Sequence, residues 1–290
     1  MKSLTFNRAT ACKRPVQLAV VLLGAFALKL FYSNASANQL RGILAPTTAL
    51  VELVSGRSFA FEAHAGYLSG DHTFLIAASC AGVNFLIAAF LMLTLRRLWR
   101  DRSPNTTAGQ GRGGGWNFIP LAALVAYLAT LVANTARISI ALWLQRRPLG
   151  IGWLNAAQLH RFEGIVVYFG FLLLLFWVSE KVLSIQSSVN QESPSGLPAD
   201  AGRSPGRPGP LPHTDRVRSL PALFRGTFFP LAIYYLTALA IPIANSIFHR
   251  GDATTDFREH SLFVLLTPLG LILLLAMIRL KKFASQRIIP

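Results

Sequence analysis

Three side chains in this sequence have the chemistry of an acyl-transfer site: the thiol of Cys80, the guanidinium of Arg137 and the imidazole of His160. A thiol attacks a carbonyl as its thiolate, and a neighbouring cation favours that anion. An imidazole within reach protonates the leaving amine and then activates the second nucleophile. A fixed guanidinium stabilises the oxyanion of a tetrahedral intermediate, most strongly where water is partly excluded. Each residue alone has a plainer reading. A lone cysteine in an apolar helix is a small hydrophobe, an arginine near the end of a span snorkels outward, and an interfacial histidine is simply solvated. Only their placement at one depth distinguishes the trio, so the elements that carry them have to be found.

Those elements are membrane spans. Of the 290 residues, 52% are hydrophobic and 14% charged, against roughly 25% charged in an average soluble domain. Long, nearly uncharged apolar runs occupy residues 16–32, 74–95, 117–144, 164–183, 227–247 and 262–280, each near the length a bilayer requires. The expected fold is therefore an all-α polytopic membrane protein of about six transmembrane helices, a four-helix catalytic core plus a C-terminal two-helix hairpin. The first run is followed by Ala35-Ser36-Ala37, which matches a signal-peptidase site, but the run is longer than a usual signal h-region, so an uncleaved anchor is expected. Residues 39–54 are moderately apolar yet carry Arg41 and Glu52, and read as an interfacial or re-entrant helix on the outer side.

The net charge of +16 would suggest nucleic acid in a soluble protein. With six spans and both termini inside, nineteen Lys and Arg lie on inner segments and seven on outer ones, which is the positive-inside pattern. Counting residues 39–54 as a seventh span would send Arg96, Arg97, Arg100, Arg102 and Arg112 outside. No nucleic-acid partner is expected; membrane lipids are. Residues 1–183 form the expected core, 184–226, rich in Pro, Ser, Gly and Arg, a disordered cytoplasmic linker, and 227–290 a transmembrane hairpin of no assigned role. Cys12 and Cys80 fall on opposite sides of the bilayer, which disfavours a disulfide.

On this topology Cys80 lies about 9 Å below the outer surface at 1.5 Å rise per residue, with Asn84 one turn deeper on the same face. Arg137 sits near the outer end of the third span, where an unpaired arginine costs about 3 kcal/mol or more and marks a functional candidate; Asn134, one turn earlier, could orient it. His160 precedes the fourth span in an outer loop. Lys29, in the first span, is close enough to its outer end to snorkel. His64, His72, His249 and His260 show no tight ligand spacing, so neither a metal nor another cofactor is expected.

The runs Ser79-Cys80-Ala81-Gly82-Val83-Asn84-Phe85, Asn134-Thr135-Ala136-Arg137-Ile138 and His160-Arg161-Phe162-Glu163-Gly164 together resemble, in that order, the exosortase/archaeosortase family of polytopic membrane cysteine transpeptidases. Gly66-Tyr67-Leu68 and Asp71 also fit the outer loop of its compact exosortase K type. The resemblance covers roughly residues 16–183. It implies Cys80 as nucleophile, Arg137 as thiolate or oxyanion stabiliser and His160 as general acid/base. It also implies partners: exported proteins ending in a short motif, a transmembrane helix and a basic tail, cleaved at the outer face of the inner membrane, and a surface acceptor. Recognition would fall to helix packing and to outer acids such as Glu52, Glu62 and Asp71. The alternative is a non-enzymatic small transporter or assembly scaffold in which Arg137 lines a polar cavity.

Overall fold

A computed structural model describes residues 8–100, 116–146, 156–191, 220–240 and 255–286. The chain is mostly helical: α1 (Arg8–Asn34), α2 (Arg41–Ser55), α3 (Val83–Arg100), α4 (Phe118–Arg146), α5 (Ala156–Gln191), α6 (Leu220–Tyr235), which continues as one π-helical turn through Leu236–Ala240, and α7 (Thr255–Gln286). Four segments are long and apolar enough to cross a bilayer, Pro15–Asn34, Ala78–Trp99, Phe118–Gln145 and Gln158–Val182. The fifth and sixth expected spans correspond to the shorter apolar helices Thr227–Leu239 and Leu262–Ile278; residues 241–247 of the fifth lie outside the described residues.

α3 is the central helix. Two thirds of its apolar window (67%) is enclosed by the rest of the protein, against 17% for the first span and 33% for each of the other two. It contacts α1, α4, α5 and α6, and the small buried residues Ala88 and Ala89 let neighbouring backbones come close. The outer helices turn Leu23, Phe26, Leu121, Leu124 and Leu174 outward, as lipid-facing surfaces do. At the end of the bundle far from Cys80, Arg96 pairs with Glu180 and stacks over Phe176, 4.6 Å from its centroid, fastening α3 to α5.

The structure redraws several expected boundaries. Residues 184–191, read as linker, extend α5, and residues 220–226 open α6; the remaining linker residues are not described. The C-terminal helices do not stand apart as an appended module. α6 packs on α3 and α5, α7 packs on α5, and the Tyr235 hydroxyl donates to the Leu265 carbonyl at 2.6 Å. Most of residues 39–54 do form a helix, α2 (Arg41–Ser55), which packs along α4, where the Tyr127 hydroxyl donates to the Gly42 carbonyl at 2.7 Å.

The all-α expectation misses a small antiparallel sheet of β1 (Phe59–Glu62), β2 (Gly66–Ser69) and β3 (Leu75–Ile76), in that order. Phe59 and Phe61 alternate with exposed neighbours along β1, the period-two signature of a strand, and Phe61 meets Tyr67 of β2 at 5.1 Å between centroids. Gly66 has φ +127, and a Cβ there would strike the Ile76 carbonyl, so only glycine suits the start of β2. The acids expected to recognise substrate are partly committed to this unit. Glu52 accepts the Phe59 backbone N–H at 2.7 Å. Asp71 accepts from Ser69 Oγ at 2.6 Å and Thr73 Oγ1 at 2.8 Å and faces Arg57 at 3.5 Å. Glu62 is exposed.

The hydrogen bonds from Ser69 and then Thr73, with Arg57 adding attraction, hold the Asp71 carboxyl down at about 2. An unfolded aspartate titrates at about 3.9, so this turn has its full support above about pH 4. That support is lost as pH falls through about 2. A carboxyl-carbon NMR titration of Asp71 should give that low midpoint, and Asp71→Asn should make the 69–74 turn protease-sensitive at neutral pH. A midpoint near 4 would remove Asp71 from the turn's support.

Candidate active site

Cys80 does not lie within α3. The chain leaves β3 into a 3-10 turn, Ala78–Ala81, and Gly82, with φ 65, breaks it from α3. The Leu86 N–H then donates to the Gly82 carbonyl at 3.0 Å to begin the regular helix. The expectation that Asn84 sits one turn below the thiol on a common helix face is therefore overturned, because a left-handed residue separates them. The half-buried cysteine instead sits just ahead of the N-terminus of α3. Glycine is required at position 82 twice over: by its backbone conformation, and because the Asn134 side-chain amide occupies the space a Cβ would need.

α4 and α5 run antiparallel and join through a part-buried polar chain. Arg137 Nη1 donates to the Tyr168 hydroxyl at 3.2 Å, and that hydroxyl donates to Asn134 Oδ1 at 2.6 Å. The guanidinium also lies 5.4 Å from the Tyr168 ring centroid. Arg137 Nη2 lies 3.1 Å from His160 Nε2. A guanidinium only donates, so Nε2 accepts here and the ring proton is assigned to Nδ1. Nδ1 faces Glu163 Oε2 at 3.4 Å, an ion-pair distance, and neither Glu163 oxygen has a hydrogen bond among the described residues. Glu163 is only 7% exposed and interacts electrostatically with Arg137, so the partly buried cation has a nearby anion. Gly164 makes room for it: a Cβ there would come within 3.0 Å of Arg137 Nε.

The site thus brings Arg137 against His160 directly and reaches Asn134 through Tyr168, with Cys80 within electrostatic range of Arg137 and Tyr168. His160 is not in a loop; it lies within the opening turns of α5. Asn134 orients the guanidinium through Tyr168 instead of touching it. Asn84 turns away, accepting from Lys29 Nζ of α1 at 2.8 Å, so Lys29 is paired across to α3 where snorkelling was expected. Tyr168 and Glu163 were not singled out from sequence. The signal for Tyr168 was present, as the only hydrogen-bonding side chain between Gly164 and Phe176. It also stacks on Phe85, 5.4 Å between centroids, tying α3 to the same cluster.

Compared with protein-family models, with curated proteins and with solved structures, the chain matches none.

Gly82→Ala should test how the cysteine turn is held. The left-handed strain alone costs about 1–2 kcal/mol, and the new methyl must also displace the Asn134 amide. A lowered unfolding temperature in detergent is expected; a variant as stable as the parent would show that this contact does not set the turn.

Proposed function

We propose that this chain is a membrane cysteine protease/transpeptidase, similar in its site residues to the exosortase/archaeosortase family, that cleaves a C-terminal sorting signal of exported proteins at the outer face of the inner membrane. The observation that carries this reading is the position of Arg137, in contact with the His160 imidazole at 3.1 Å and in electrostatic range of the Cys80 thiol.

In the proposed reaction His160 takes the thiol proton and the Cys80 thiolate adds to the scissile carbonyl carbon. The C=O π pair moves to oxygen, where Arg137 stabilises it. Collapse re-forms the carbonyl and breaks the C–N bond, and the leaving nitrogen takes the proton from His160. The thioester is then attacked by water or by a nucleophilic acceptor, deprotonated by His160, and the thiol is restored. Glu163, beside Nδ1, orients the ring and balances its positive charge, as a buried carboxylate does in a hydrolase triad.

Co-expression with an exported protein of the same genome, ending in a motif, an apolar helix and a basic tail, tests this reading. Cys80→Ala should abolish processing. Arg137→Lys, which keeps charge but loses the planar fork, should slow it about a hundredfold. Unchanged processing by Cys80→Ala, with Arg137 variants still defective, would favour the transporter or scaffold reading.

A further inference from the structure

The site has a fourth wall that the proposed mechanism leaves unused. α1 packs along α3, and its last turns bring Lys29 and Tyr32 toward the cysteine turn. Lys29 is pinned by its hydrogen bond to Asn84 Oδ1, and its ammonium lies 5.6 Å from the Tyr32 ring centroid, which holds the ring by a cation–π contact. Tyr32 and Cys80 are both partly buried against the same apolar core. One turn beyond Lys29 on α1, Tyr32 follows the residue that bonds Asn84 at the start of α3, within electrostatic range of Cys80, Arg137 and Tyr168, groups from three other segments of the chain.

Two phenols therefore lie within electrostatic range of the cysteine turn and Arg137, and their hydrogen bonding separates their roles. The Tyr168 hydroxyl is fully committed, accepting from Arg137 and donating to Asn134. The Tyr32 hydroxyl makes no hydrogen bond among the described residues, and its side chain is only partly buried. A phenol always has a proton to donate, and one left unpaired beside a nucleophile is available to a substrate oxygen.

We propose that Tyr32 is a further catalytic residue, whose O–H donates a hydrogen bond to the scissile carbonyl oxygen as Cys80 adds to the carbon. This rests on the acyl-transfer reading above. The Sγ–C bond forms, the π pair moves to oxygen, and that oxygen is shared between the Tyr32 hydroxyl and the Arg137 guanidinium without taking either proton. When the C–N bond breaks, the carbonyl re-forms and the hydrogen bond weakens. α1 is then part of the catalytic apparatus as well as an anchor.

Tyr32→Phe keeps the ring and its contact with Lys29 and removes only the donor. With purified full-length chain in detergent and the same sorting-signal protein as probe, kcat should fall about a hundredfold, the cost of one oxyanion donor, while KM stays within about twofold. Alkylation of Cys80 by iodoacetamide, followed on the Cys80 peptide by mass spectrometry, should keep the parent rate, because the hydroxyl acts on the substrate oxygen and not on the sulfur. It also reports that the site is still folded. An unchanged kcat overturns the proposal, and so does a slowed alkylation that matches the loss of kcat. If the parent chain shows no Cys80-dependent cleavage, the function itself fails and Tyr32 falls with it; if the parent cleaves and Tyr32→Phe cleaves equally well, only the role of Tyr32 is lost.

Discussion

The burial of one guanidinium governs this end of the molecule. An arginine inside an apolar helix bundle is unfavourable by several kcal/mol unless its charge and its donors are met. Arg137 meets that demand on α5 for its charge and both terminal nitrogens, while Nε has no partner among the described residues: the Tyr168 hydroxyl, the His160 ring and the nearby Glu163 carboxylate all come from one helix. The spacing of those three residues fixes how α5 is rotated against α4 and how far it slides along it. Gly164 lies where the arginine side chain passes, so the cation and the close approach of the helices are satisfied by the same geometry. Asn134 extends the constraint to the cysteine, since its oxygen holds Tyr168 and its amide lies against Gly82. One continuous path of contacts thus joins the imidazole to the turn that bears the thiol.

The cysteine turn depends on a second constraint, the break at Gly82. Were α3 to begin at residue 74, as hydropathy suggests, Cys80 would point from a helix side, its thiol surrounded by aliphatic groups. The left-handed glycine ends the 3-10 turn and starts the helix anew, leaving the cysteine just ahead of its N-terminus. The short sheet supplies the other anchor. β3 delivers the chain to Ala78, the Ser69–Phe74 backbone pair at 2.9 Å closes the preceding turn, and Gln145 of α4 donates to the Thr73 carbonyl at 3.1 Å.

What the sequence disclosed divides along physical lines. Long apolar runs announce helices because a bilayer-scale stretch of such residues has few other solutions, and the four long helices lie close to where hydropathy puts them. Arg137 stood out because a charge in such a run needs an explanation. The sheet stayed hidden because its strands are two to four residues long, and the alternation of Phe59 and Phe61 is too brief to stand against a loop. The position of Cys80 was misjudged because hydropathy is blind to backbone conformation: Gly82 reads as one more small residue in an apolar run, and only its contact with Asn134, 52 positions on in the sequence, makes its φ decisive. Likewise Lys29 looked like a snorkelling lysine because Asn84 appeared to belong to Cys80.

The hydrogen-bond roles at Arg137 bear on the order of events in the proposed reaction. The imidazole lone pair that accepts from Arg137 is the one that must take the thiol proton, because Nδ1 carries its own proton toward Glu163. Once Nε2 is protonated it becomes a donor, and its contact with the guanidinium turns from a hydrogen bond into a meeting of two cations. Arg137 Nη2 then has lost its acceptor, at the moment when an oxyanion is forming on the substrate. Glu163, buried without a hydrogen bond among the described residues, gains from the same proton, since the new imidazolium is its ion-pair partner. Forming the thiolate, releasing the guanidinium and engaging the carboxylate are thus three consequences of one proton transfer. That coupling requires an arginine in hydrogen-bond contact with the histidine, which no arrangement of three independent residues would supply.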